Sequence, residues 1–204
     1  MSDADFDAVA DQLIEAGRFL FSRGWVPATS GNFSARLASG NIALTVSGRH
    51  KGRLTRDDIL IADPSGKSLD ARTPSAETPL HIELYKRFPK IGCVLHPHTV
   101  ATTVLSRILP GGVTLSDYEV LKAFPGIDTH EATLHVPVFP NDQDTKRMAR
   151  SVDGYLMQHP RVPAYIIREH GFYTWGRDVD DTLRHVEALE FLLQCELELR
   201  RISR

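Results

Sequence analysis

Residues 32–37, NFSARL, and 42–46, IALTV, alternate side chains around the turn ASGN. Successive side chains on a strand point to opposite faces, so two such runs joined by a short Gly-containing turn predict an antiparallel hairpin. A chain that contains such hairpins does not build a purely parallel, doubly wound sheet, whose strands need long crossovers. Upstream, Phe6, Val9, Leu13 and Leu20 share one helical face, with Gly24 as a stop. Downstream, ILIA (59–62) is a strand, and Ser75 is expected to N-cap a helix through residues 76–88 with Glu77 in its first turn. The pattern then gives a strand over 91–98, helices over 99–108 and 116–124, a strand over 134–139 and a helix over most of 141–160. AYIIRE (164–169) is a strand that delivers His170-Gly171, and from Asp178 a long helix carries Leu183, Val186, Leu189, Leu193 and Leu197 on one side. Short strands interleaved with helices predict an α/β sandwich.

The 204 residues, 42% hydrophobic and 25% charged, fit one domain spanning 1–204. A formal charge of −2 argues against general nucleic-acid or membrane-surface binding, with the basic knot at 49–53 as the local exception. The opening MSDADFDAVADQLIEAG is acidic and amphipathic, unlike a secretory signal, and no run approaches membrane-spanning length. Cys93 and Cys195 are expected to be buried, reduced thiols, and the chain a cytoplasmic protein.

Chemistry is suggested first by VLHPHTV (94–100). His96 and His98, two apart on an extended chain, aim both imidazoles at one point, and Pro97 favours a strand end. With 9 His in 204 residues, chance alone yields about 0.4 such pairs, so the pair needs a distant third ligand. His170, ending an apolar strand beside Gly171 where the chain can turn sharply, is the best candidate; His135 and His81 are alternatives, while His50, His130, His159 and His185 look like loop or surface residues. Small-residue turns at 28–34, 45–52 and 73–77 can gather backbone N–H groups around one phosphate, with Lys51 adding charge. No nucleotide-binding glycine loop is present. Glu77 and Glu119 are the candidate acid/base carboxylates.

The order SGN (30–32), SG (47–48), SAE (75–77), HPH (96–98) and HG…WG (170–171, 175–176) resembles the class II aldolase/adducin family, which includes fuculose-phosphate aldolase, from about Leu13 to Phe191. The segments at 17–37 and 44–52, with SDYEVLKAF (116–124) and NDQDT (141–145), are similar to the branch that dehydrates a methylthio-substituted ketose 1-phosphate in methionine salvage. The resemblance implies a three-layer α/β/α sandwich with a mixed, largely antiparallel central sheet, and a homotetramer of fourfold symmetry. It implies zinc on His96, His98 and His170, and a substrate phosphate near Gly31, Asn32, Ser47, Gly48 and Ser75. In the aldolases the acid matching Glu77 is the base; in the dehydratases the acid matching Glu119 has that work, and this chain carries both. The rival readings are an aldolase that uses the same zinc and phosphate sites, and a non-catalytic adducin-like scaffold, in which the metal histidines would be lost.

Overall fold

The structure, a computed structural model, describes residues 3–203. In chain order the elements are α1 (Asp3–Ser22), β1 (Asn32–Arg36), β2 (Ile42–Thr45), β3 (Ile59–Ala62), α2 (Thr78–Arg87), β4 (Cys93–His96), α3 (Val100–Ile108), β5 (Val113–Ser116), β6 (Thr133–Val136), β7 (Val138–Phe139), α4 (Thr145–Gln158), β8 (Ala164–Ile167), β9 (Gly171–Gly176) and α5 (Val179–Ile202). Short 3-10 turns lie at Lys51–Arg53, Arg56–Asp58 and Glu119–Ala123.

The hairpin forms as expected: β1 and β2 pair antiparallel, with Ser34 opposite Leu44. The main sheet runs β3-β2-β1-β4-β9-β8-β7, and every pairing is antiparallel except β7 with β8. Alternation along its central strands sends Phe33, Cys93, Leu95 and Phe172 into one core with α1, α3 and α5, where Leu13, Leu105 and Leu189 are buried. The opposite parity sends Val94, Tyr173 and Trp175 against α2 and α4, with Leu80, Leu84, Met148 and Val152. The result is the three-layer α/β/α sandwich with a mixed, largely antiparallel sheet. Each Leu or Phe so enclosed contributes about 1.5–3 kcal/mol of burial free energy, which fixes strand register and so fixes where β4 and β9 end. No helix among the described residues is long and apolar enough to cross a membrane.

Several elements depart from the sequence pattern. The run 134–139 breaks at Pro137: β6 pairs with β5 in a separate two-stranded sheet, while β7 joins the main sheet edge. Proline has no N–H to give a continuous ladder. GFYTWG, which lacks alternation, is a central strand buried along its whole length, β9; with both faces covered, nothing selects polar residues. In place of a helix over 116–124, Ser116 ends β5 and a 3-10 turn forms at 119–123. The helix expected from Ser75 starts at Thr78 instead, because the Thr78 N–H and hydroxyl both donate to the Ser75 carbonyl (3.0 and 2.7 Å) and close a turn first. His185 is not a surface residue: it is buried on α5, with Nδ1 donating to the Trp175 carbonyl at 2.8 Å. Cys93 is fully buried, and burial pushes its thiol up to about 12, whereas Cys195 is only half-buried. Of the basic knot, Lys51 is buried, while Arg49 and Arg53 are exposed.

Candidate active site

Strand β4 stops at His96, and Pro97 turns the chain out of the ladder. His98 therefore lies beyond the strand, held by its own N–H donating to the Trp25 carbonyl at 2.8 Å, while the Pro97 carbonyl accepts from the Phe172 N–H at 3.2 Å. The two rings still converge, with centroids 4.6 Å apart. His170 sits in the turn between β8 and β9, its ring centroid 5.1 Å from that of His96 and 4.4 Å from that of His98. The sharp turn is made by Glu169, at φ +55°, and not by Gly171. Gly171 is required for space: a Cβ there would run into the Pro97 carbonyl oxygen and come within 2.9 Å of His96 Cε1. Gly171→Ala is therefore expected to separate β9 from the 96–98 turn, lowering both metal content and melting temperature, measured by metal analysis and calorimetry.

Glu77, just before α2, completes a cluster whose four donor atoms lie within 4.8 Å of one another. Its Oε2 is 3.4 Å from His96 Nε2 and its Oε1 is 3.4 Å from His170 Nε2. His96 Nδ1 donates to the Phe172 carbonyl at 2.8 Å, which leaves the Nε2 lone pair facing the cluster. Its ring is clamped against Tyr173, with centroids 4.0 Å apart and planes 13° from parallel. Burial, and then the neighbouring imidazoles, hold His96 and His98 neutral; His98 is pulled down to about 2. Two neutral ring nitrogens only 2.9 Å apart, His96 Nε2 and His98 Nε2, need a shared proton or cation between them. A tetrahedral ion with ligands at about 2.0–2.1 Å spaces its donors about 3.3 Å apart, close to three of the separations here, 2.9, 3.4 and 3.4 Å, in a cluster that spans at most 4.8 Å. Three imidazoles with a carboxylate fit a divalent transition metal.

A cavity of about 320 Å³ opens beside the cluster. Gly31, Asn32, Ser47, Gly48, Lys51 and Ser75 all line it, with Glu77, His98 and His170. Gly31 and Gly48 have φ of +77° and +72°, and a Cβ on Gly31 would press on the His96 carbonyl oxygen at 2.7 Å. Lys51 Nζ donates to the Thr29 and Arg49 carbonyls at 3.0 and 2.7 Å. Burial lowers this ammonium to about 8, against the opposing pull of Glu77.

Asn141, Asp142, Gln143 and Thr145 also line the cavity. In the sequence these residues carried only a family resemblance; the signal available was a polar run, NDQD, longer than a helix cap needs. Ser30, part of the 28–34 turn but not singled out in the sequence, also lines the cavity, its Oγ buried without a hydrogen-bond partner among the described residues. Glu119 is not brought to this cavity within its own chain. Its side chain is 72% exposed and lies 2.7 Å from Lys122. The alternative histidines stay outside the cluster. His81 is buried in α2, and His135 is exposed on the two-stranded sheet with Nδ1 3.2 Å from Thr114 Oγ1.

The family model of the Class II Aldolase and Adducin N-terminal domain matches residues 11–197. A methylthioribulose-1-phosphate dehydratase of Methylococcus capsulatus is 59% identical over 204 residues, covering 100% of both chains. One of Pseudomonas paraeruginosa is 54% identical over 200 residues, 97% of this chain and 98% of that one. Among solved structures, the L-fuculose-1-phosphate aldolase of Thermus thermophilus superposes with a TM-score of 0.78 at 26% identity, covering 96% of this chain and 95% of its own. YgbL of Klebsiella pneumoniae superposes with a TM-score of 0.81 at 25% identity, over 95% and 90%.

Proposed function

Because this chain belongs to the class II aldolase and adducin family, we propose that it is a zinc-dependent hydro-lyase. In this reading it converts 5-methylthioribulose 1-phosphate to 2,3-diketo-5-methylthiopentyl 1-phosphate, in the cytoplasm, as a step of methionine salvage. The observation that carries the reading is the single cavity in which a three-histidine, one-carboxylate cluster meets two glycine turns and a buried lysine. A phosphorylated sugar needs both halves at once. The choice of dehydration over carbon–carbon cleavage rests on the full-length similarity to dehydratases.

His96, His98 and His170 would hold the ion, which supplies Lewis acidity to the substrate oxygens at C2 and C3 when bound. The turns at Gly31–Asn32, Ser47–Gly48 and Ser75 take the phosphate with backbone and hydroxyl donors, and Lys51 supplies the charge. Phosphate binding at C1 sets C3 and C4 beside the histidines. A carboxylate then removes the C3 proton, the C4 hydroxyl is protonated and leaves as water, and the resulting enol tautomerises to the diketone. Glu77 is the carboxylate inside the chain's own site. Glu119, exposed on the 119–123 turn, takes part when the turn of one copy is presented to the cavity of another, as in the homotetramer the family resemblance implies.

The test is product analysis with purified protein and methylthioribulose 1-phosphate. The expected product is a single diketone phosphate retaining every carbon. Release of a three-carbon phosphate and a second fragment would make the chain an aldolase. No turnover of any sugar phosphate, with the metal bound, would leave the scaffold.

Lys51 gives a separate pH signature. Its lowered value of about 8 means that the ammonium is charged below that pH and neutral above it. KM for the phosphorylated substrate should therefore climb as pH is raised through about 8, and Lys51→Met should have a high KM at every pH with that rise gone. A KM profile that is flat in the wild type would remove Lys51 from phosphate binding.

A further inference from the structure

Behind Glu77, a file of buried polar side chains runs into the core between β1 and α2. Asn32 and Ser34 share one face of β1, and Glu77, His81 and Tyr85 stand four apart on one side of α2 and the turn before it. Two strand residues advance about 6.8 Å and four helical residues about 6 Å, so the two sets interleave. Asn32 Nδ2 donates to Glu77 Oε2 at 2.5 Å, and Asn32 Oδ1 contacts His81 Nε2. His81 Nδ1 is 2.7 Å from Ser34 Oγ, which is 2.9 Å from the Tyr85 hydroxyl. Asn32, Ser34, His81 and Tyr85 are at most 5% exposed, so water does not stand in for any partner.

Chemistry fixes the direction of every bond. The Glu77 carboxylate only accepts, so Asn32 turns its amide nitrogen outward and its oxygen inward. That oxygen also only accepts, so His81 must carry its proton on Nε2. His81 Nδ1 is then an acceptor, which Ser34 satisfies by donating. Ser34 Oγ in turn accepts from Tyr85. We infer that Tyr85, Ser34, His81 and Asn32 form a one-way file of donors that fixes the Glu77 carboxylate in its working position, making His81 and Ser34 positioning residues for the reaction. Burial lowers His81 to about 4, against the opposing charge of Glu77, in keeping with a neutral ring. Donors aligned head to tail strengthen one another, and the last of them points at the one carboxylate inside the histidine cluster.

The inference rests on the reading of Glu77 as a working carboxylate of the site, and it can be tested apart from it. Nitrogen NMR of histidine-labelled protein, metal-free and metal-loaded, should show His81 with a protonated Nε2 and a bare Nδ1. The other tautomer, or an imidazolium at neutral pH, overturns the file whatever the enzyme's reaction. In kinetics, His81→Phe should lower kcat about 10- to 100-fold, as loss of support to a charged acceptor does. KM and metal content should stay within about twofold, set as they are by other residues. Ser34→Ala and Tyr85→Phe should follow in decreasing order, and His81→Gln, which restores an N–H donor, should recover part of the loss. In a Glu77→Gln background, His81→Phe should cause little further loss, since it acts through Glu77. Additive losses, or a raised KM with unchanged kcat, would reduce the file to core packing. The cycle can be scored on either dehydration or cleavage, so failure of the proposed reaction does not disguise failure of the file.

Discussion

Removing the divalent ion, by exhaustive chelation or by His170→Ala, should lower turnover by about 10³ or more. The Lewis-acid contribution of a catalytic ion is several kcal/mol, and each 1.36 kcal/mol is a factor of ten. His170 is the better residue to change than His96. Its side chain is 20% exposed, whereas His96 is fully enclosed and stacked on Tyr173, so His96→Ala would also leave a hole in the core. Metal analysis should find about one equivalent in the wild type, the stoichiometry of a three-ligand catalytic site, and much less in His170→Ala. The metal-free protein should also melt lower, because an ion held only by the folded state stabilises it. Without the ion, His96 Nε2 and His98 Nε2, 2.9 Å apart, have only a proton to share. Full activity after chelation, with metal verified absent, would end the metal reading.

The second large effect separates the two carboxylates. Losing a positioned general acid or base costs about 10²–10⁴ in rate, so Glu77→Gln and Glu119→Gln are each expected to fall by that order if both move protons. Glu77 has its oxygens 3.4 Å from two cluster nitrogens and accepts from Asn32 at 2.5 Å. Its loss should be felt in every oligomeric state. Glu119 is different, because within its own chain it meets Lys122 and solvent. Its partner Lys122 and the nearby His130 hold its carboxyl below the usual range. The deciding experiment mixes two inactive proteins, Glu119→Gln and His170→Ala, and lets them exchange subunits. If Glu119 serves a neighbouring copy, mixed oligomers contain sites with an intact cluster from one chain and an intact Glu119 from the other, and activity returns. Light scattering on the same samples reports the assembly. A fully active monomer, or wild-type rates in Glu119→Gln, would make Glu119 a solvated surface acid and leave the proton chemistry to Glu77.

The fold was largely legible in the sequence where a local pattern marks an element. The hairpin at 32–45 shows in its alternation and turn, the helices α1 and α4 in their apolar periodicity, and the strand carrying His96, buried on both faces, in its short apolar run. Legibility failed where a run carries no such pattern or where proline intervenes. The aromatic run 171–176 has no alternation to betray a central strand, and the split at Pro137 sends one apolar run into two sheets. The site followed the same rule. The spacing of His96 and His98 marked a convergent pair, and the glycine turns marked places for backbone donors. The strand-ending His170 was the best candidate to join them, but neither marking showed that Glu77 would close the cluster.

Local composition and spacing thus determined the residue types, the strand that ends in a histidine and the turns able to hold a phosphate, because these depend on neighbours a few positions apart. The meeting of residues 77, 96, 98 and 170 was decided by the tertiary structure alone. It depends on β4 lying between β1 and β9, an order no local pattern encodes, which brings His170, just before β9, beside His96. Packing likewise made Gly171 a spacing residue and not a turn, and turned His81 from an ordinary helical histidine into a buried donor behind Glu77. Such roles arise only when elements far apart in sequence exclude water from one another, since only then must each polar atom find its partner inside the protein.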